Sequence, residues 1–347
     1  MTSPLPLPVG PLSRRVVTCL VGGVGPTLDG LDVSGRDPLD HDLQLALYAL
    51  NELHYGGWTD VGDDLEWDVD VATTRTSLSA EFERRLRLAV GPLDGVDPLD
   101  EARRLLALGG LSVSAHLRDH GTLDQVRESM MLRSPYQSKE ADPHTFALPR
   151  FGGTTKRVFT EIQSGEYGVG HRRSHAELFA DALHGLGLDS TPNVHVDHCT
   201  GPALAVSNLV TLGAMHRRLR GMVLGQLSLF EMDSVTPNQA MVDCVDRLGL
   251  DATVRPFFHV HVMADAEHEQ MVEASFLVEY PTLEPDQVQN MVLGMRAQSL
   301  IDHAVAAHCV PRWREGGSAL SPAVTGDVGD VSVAPASRAA GPVRSAA

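Results

Sequence analysis

The chain has 347 residues, 43% of them hydrophobic and 21% charged, with 45 acidic against 28 basic side chains and a net charge of −17. This acidity argues against nucleic acid or an anionic membrane as the main partner, and no apolar run nears the roughly 18 residues of a membrane span. The four cysteines, Cys19, Cys199, Cys244 and Cys309, form no C-x-x-C pair, which excludes a zinc ribbon or thioredoxin-type site and suits buried thiols in a reducing cytoplasm.

Residues 1–38 are rich in Pro and Gly ("SPLPLPVGPL", "GGVGPTLDG"), the composition of a flexible or loosely docked arm. Helical patterns follow. "DHDLQLALYALNELHY" starts from an Asp cap and repeats apolar residues at three and four. "SLSAEFERRLRLAV", "DPLDEARRLLALGG" and "TLDQVRESMML" continue the theme, and "DPHTFALPRFGG" reads as a connector. "HAELFADALHGLGLD" is amphipathic and ends on glycines. Residues 203–232 are apolar over most of their length and predict one long central helix. A break at "DSVTP" precedes a helix with Pro237 at its start, and two further helices occupy 257–280 and 288–309. No strand-like alternation and no repeat is visible, so the expected fold is all-α over 39–314. The tail 315–347, rich in Ala, Gly, Pro and Ser, is expected to be disordered.

The stretch "FFHVHVMADAEHEQMV", residues 257–272, carries His259, His261 and His268 among Asp265, Glu267 and Glu269. At about 100° per residue, Asp265 falls about 40° from His261 and His268 about 20° to its other side. His259 and Glu267 leave that face. An H-x3-D-x2-H stripe either binds metal or forms a buried hydrogen-bonded network, and it is no HExxH zincin. Glu231 ends an apolar segment, where a carboxylate is costly unless it is paired or projects into a metal-binding bundle. His175 opens an amphipathic helix with Glu161 and Glu166 upstream. On one straight helix neither acid reaches a site shared with His175. A break at Gly168 and Gly170 folds Glu166 back toward it, which favours Glu166 and leaves Glu161 in reserve. Mixed imidazole and carboxylate ligands suit two irons, or iron with manganese, better than structural zinc, calcium or magnesium.

Several motifs together resemble the heme-oxygenase-like diiron oxidases and oxygenases, and most closely the actinobacterial iron-containing redox enzymes. They are "HYGGWTDVGDDLEWD" (54–68), "YQSKEADPHTFALPR" (136–150), "EIQSGEYGVG" with "HAELF" (161–179), "MHRRLRG" (215–221), "FE" (230–231) and "HVHVMADAEHEQ" (259–270). The similarity spans roughly residues 40–312. It implies a bundle of about seven core helices, here with extra N-terminal helices, and the ligands Glu166, His175, Glu231, His261, Asp265 and His268. Some members add an upstream carboxylate, for which Glu140 is the candidate. His259 stands where an acid is expected and His171 where Arg is usual; neither removes a ligand.

The resemblance further implies dioxygen activation through a peroxo-diferric intermediate, with a bridging role for Glu231 or Asp265. Relatives oxygenate amine or amino-acid nitrogen, decarboxylate fatty acids or cleave carbon–carbon bonds. The expected partners are a small organic substrate, dioxygen and an external electron donor, with a homodimer as the expected assembly. Two other readings compete: a heme-binding bundle with one axial His, and a non-catalytic helical protein whose ligand-like residues form a polar network. Tyr167 and His216 are candidates for proton transfer or for plain packing. Arg217, Arg218 and Arg220 are read as a solvated face, with a substrate carboxylate as the alternative.

Overall fold

The computed structural model describes residues 2–170 and 173–322, apart from the side chains of 264–267. The helices are α1 (Pro11–Val21), α2 (His41–Asn51), α3 (Val69–Val90), α4 (Pro98–Leu106), α5 (Val113–His120), α6 (Leu123–Gln137), α7 (Asp142–Thr145) and α8 (Gly153–Glu166). They continue as α9 (His175–Gly185), α10 (Gly201–Met215), α11 (Arg220–Met232), α12 (Val235–Leu248), α13 (Arg255–Val272), α14 (Tyr280–Leu283) and α15 (Val288–Arg314). The described residues contain no strand, as expected from the sequence. None of their helices is long and apolar enough to cross a membrane.

The bundle is built around α11 and α15, whose backbones nearly touch. A Cβ on Gly225 would lie 2.0 Å from the carbonyl oxygen of Met291, and one on Gly294 would lie 2.0 Å from that of Met222. Two reciprocal glycines therefore set the crossing distance. Leu224, Met291, Val292 and Leu293 are fully buried there, so the close approach seals the centre of the core.

The long helix expected over 203–232 is instead two helices. Arg150 holds the carbonyls of Ala214 and Met215 at 2.7 Å each, capping the end of α10, and His216 turns to extended backbone. This break lets Arg218 reach Glu83 and Arg220 reach Glu284, the acid pairing anticipated for that cluster, although Arg220 is half-buried rather than on a solvated face.

The N-terminal arm also differs from expectation. Leu12, Val16 and Leu20 form an i, i+4, i+8 stripe that is wholly buried, and the Asp42 carboxylate accepts from the Leu12 and Ser13 amides at 3.0 and 2.8 Å. That cap and stripe dock α1 onto α2, because a helix end with its orphan N–H groups satisfied can be buried. Within the expected tail, residues 315–322 are docked too. Glu128 accepts from the Ala319 amide at 2.8 Å, Ser321 donates to the His198 carbonyl at 2.9 Å, and Ala319 is buried. The rest of the tail, 323–347, lies outside the described residues.

Candidate metal centre

Glu140 follows α6 in a tight turn. Ala141 has φ of +78°, a left-handed conformation rare for a residue with a Cβ. That turn points the chain back toward α7 and leaves Glu140 inside the bundle. Glu166 is the last residue of α8. The chain then reverses through Gly168 and Gly170, both at positive φ, where a Cβ on Gly168 would meet the Arg173 backbone at 2.6 Å. It re-enters helix at a capping box: Ser174 Oγ accepts from the Glu177 amide at 3.3 Å, and the Glu177 carboxylate accepts from the Ser174 amide at 2.8 Å. His175, first residue of α9, is thereby fixed facing Glu166. The glycine break expected between them is in place.

Glu231 comes from the end of α11, and His261 and His268 from one face of α13. His261 Nδ1 donates to the Phe257 carbonyl one turn earlier at 2.7 Å. The lone pair then resides on Nε2, 3.5 Å from Glu140 Oε1. His175 Nδ1 lies 2.7 Å from Glu166 Oε2 and 3.9 Å from Glu140 Oε2. His268 Nδ1 is 3.0 Å from Glu231 Oε2 and 4.0 Å from Glu166 Oε1.

These atoms form two groups, each with all ligand atoms mutually within 4.8 Å: Glu140, Glu166, His175 and His261 in one, Glu166, Glu231 and His268 in the other. Glu166 belongs to both. All six side chains are buried, His175 at 2% exposure, Glu140 and Glu231 at 4% and Glu166 at 7%. Three buried carboxylates in one cluster carry a desolvation cost that facing donors or positive charge must offset. Gln137, with its amide nitrogen turned to Glu140, donates to both oxygens at 2.8 and 2.7 Å.

The donor set fits metal ions. His175 Nδ1 lies 2.7 Å from Glu166 Oε2, close enough for the imidazole and the carboxylate to serve one ion together. Burial opposes protonation of His175, yet the Glu166 carboxylate, with Glu140 behind it, outweighs burial and raises its pKa. Burial likewise opposes ionisation of Glu166, and His175, His261 and His268 together still pull its pKa down. The pocket favours ionised carboxylates facing positive charge.

Of the residues expected as ligands, Glu166, His175, Glu231, His261 and His268 converge. The side chain of Asp265 lies outside the described residues, as does His171. Glu161 is exposed and belongs to neither group, because it sits on the outward face of α8. Glu140, the upstream carboxylate held only as an addition, belongs to the first group, beside Glu166, His175 and His261. Tyr167 bonds Thr145 and Asp142 instead of facing the groups, and His216 Nδ1 donates to the Leu212 carbonyl. Sequence reasoning missed Tyr136, Gln137 and His144. Tyr136 OH donates to His144 Nδ1 at 3.2 Å, and His144 Nε2 donates to Gln226 at 2.8 Å. Burial keeps His144 neutral by lowering its pKa. The only sequence signal for them was their place inside "YQSKEADPH".

A cavity of about 430 Å³ adjoins the cluster, with His261, Tyr136, Gln137 and Phe230 in its wall. Its size suits a small organic ligand.

A helical bundle with buried carboxylates and imidazoles converging from the turn after α6 and from α8, α9, α11 and α13 defines a protein of the heme-oxygenase-like fold with a cluster able to hold metal. Residues 127–303 match the model of a family described as iron-containing redox enzymes, and the chain belongs to that family. All six converging residues fall inside the matched segment. No match was found among the curated proteins.

Proposed function

We propose that the chain is a non-heme diiron oxidase or oxygenase that uses dioxygen to oxidise a small organic substrate. One observation carries this reading: Glu166 is shared by two ligand groups, the arrangement of a carboxylate bridging two ions. In this reading Glu140, His175 and His261 hold one iron, and Glu231 and His268 the other, with Asp265 added to the set from its place on the helical stripe. Manganese in one position is compatible with the same donors.

When bound, the two irons supply the electrons with which dioxygen is reduced, and an external donor restores them. The protein's own residues do the rest. Gln137 holds Glu140 in place through both oxygens. The Phe257 carbonyl fixes the His261 tautomer. Tyr136, hydrogen-bonded to neutral His144, presents its ring to the cavity and packs edge-on to Phe230. Burial and the carboxylates Glu140, Glu166 and Glu231 raise the Tyr136 pKa far above the ordinary phenol value, so its proton stays on the oxygen at neutral pH.

The test is anaerobic reconstitution with Fe(II), counting of bound iron, and rapid mixing with oxygenated buffer while visible absorption is recorded. Two irons per chain with a transient visible band is the expected result. A chain that takes up no iron and gives no transient would be a metal-free binding protein, and the proposal would fall.

A further inference from the structure

A line of hydrogen bonds runs through four helices from beside the metal centre to the cavity wall. The Tyr136 hydroxyl on α6 lies 3.2 Å from His144 Nδ1 on α7, and His144 Nε2 lies 2.8 Å from Gln226 Oε1 on α11. Gln226 Nε2 is 2.9 Å from Gln298 Oε1 on α15. Gln298 Nε2 is in turn 2.9 Å from each carboxylate oxygen of Asp302, one turn further along the same helix. The close crossing of α11 and α15 brings the two amides together, since a Cβ on Gly294 would lie 2.9 Å from the Gln226 backbone nitrogen. His144, Gln226 and Gln298 are each 1% exposed and Tyr136 4%. Only the Asp302 end is exposed, in the cavity wall.

The direction of every bond follows from that end. Desolvation, resisted by the Gln298 hydrogen bonds, pushes the Asp302 pKa up to about 6; neighbouring Asp233 adds to the rise, and Arg133 and His303 oppose it. The acid is therefore ionised at about pH 8, and an ionised carboxylate only accepts. It takes the Gln298 nitrogen, which leaves the Gln298 oxygen to Gln226. The Gln226 nitrogen is then committed, and its oxygen takes a hydrogen from His144 Nε2. A neutral imidazole has one ring hydrogen, so Nδ1 keeps its lone pair and accepts from Tyr136. The phenol sits in the field of Glu140, Glu166 and Glu231. With its hydrogen given to His144, it has only lone pairs left for them.

We propose that Asp302 is a positioning residue: through Gln298, Gln226 and His144 it holds the Tyr136 hydroxyl hydrogen away from the metal-binding carboxylates. The phenol then does not compete with an ion for their oxygens. The bond directions are independent of the diiron reading, and only this consequence for metal rests on it.

Nitrogen NMR of the full, metal-free chain carrying isotope-labelled histidine reads the His144 tautomer at about pH 8, with His144→Gln identifying the signal. The parent and Asp302→Glu are expected to carry the hydrogen on Nε2. Asp302→Asn, whose side chain both donates and accepts, should move part of it to Nδ1, and Asp302→Lys, which only donates, should move more. Should either variant not fold, Gln298→Met, which cuts the line, should release the tautomer in its place. Hydrogen on Nδ1 in the parent, or a tautomer that no variant changes, overturns the proposal. In Fe(II) titrations Asp302→Lys should bind iron about tenfold more weakly, and adding Tyr136→Phe, which has no hydroxyl, should restore the affinity. A loss that persists in the double variant is charge repulsion and overturns the proposal too. No iron uptake by the parent, with the tautomer responding as expected, sinks only the diiron reading.

Discussion

Glu166 is the residue on which the two ligand groups depend, since each of the other five belongs to one group alone. Removing it should therefore differ in kind from removing any neighbour. Glu166→Ala is expected to abolish iron binding at both positions, whereas His268→Ala and His261→Ala should each leave about one iron per chain, because bridging ligands serve two ions and terminal ligands one. Metal analysis after Fe(II) loading and desalting reads the result. Equal losses from all three variants would show that Glu166 does not bridge. The helical wheel placed His261 and His268 together because a single helix has a fixed period. Glu140 was a different matter. Its position depends on the left-handed turn at Ala141, and no local periodicity announces such a turn.

At the scale of elements, the crossing of α11 and α15 decides where Glu231 points. The approach is set by Gly225 and Gly294, each facing a carbonyl oxygen of the other helix. Gly294→Ala puts a methyl group where the Met222 carbonyl already sits, and the helices must separate. We expect a destabilisation of about 3 kcal/mol in denaturant unfolding, accompanied by loss of iron from the Glu231 group before the Glu140 group. A variant as stable as the parent would mean the crossing is looser than the backbone distances imply. Near the same site, α13 runs on into a π-helical stretch, Glu273–Glu279, with Ser275, Phe276 and Leu277 buried. The wider turn shifts which face of the continuing helix meets the core. Sequence periodicity read this region as plain helix, since one inserted residue does not disturb a pattern of small and large apolar side chains.

At the scale of the whole molecule, Glu101 ties α4 to the central α15. Arg104 donates to its carboxylate at 2.6 and 2.9 Å, and Arg296 at 2.6 Å. The Arg104 hydrogen bonds lead, and with Arg296 they outweigh burial and lower the pKa from 4.5 to about 2. The unfolded chain therefore takes up this proton at a higher pH than the folded one. Its stabilisation is complete above about 4.5 and is lost as pH falls toward about 2. Glu101→Gln should cost on the order of 2 kcal/mol near neutral pH, and the gap to the parent should close at the acid end of that window. Chemical unfolding at several pH values checks it, and a gap independent of pH would refute the ionic origin.

What the sequence determined by itself is what has a short period or a strong local chemistry. The all-helical class follows from apolar spacing, the reversal between Glu166 and His175 from two glycines, and the His261–His268 stripe from helix geometry. Tertiary structure decided the rest. The end of α10 rests on Arg150, sixty-odd residues upstream, holding its last carbonyls. The docking of α1 rests on Asp42, and the pairing of Glu140 with His261 on contacts between α13 and the turn after α6. Each of these depends on groups far apart in the chain, and only folding makes them neighbours.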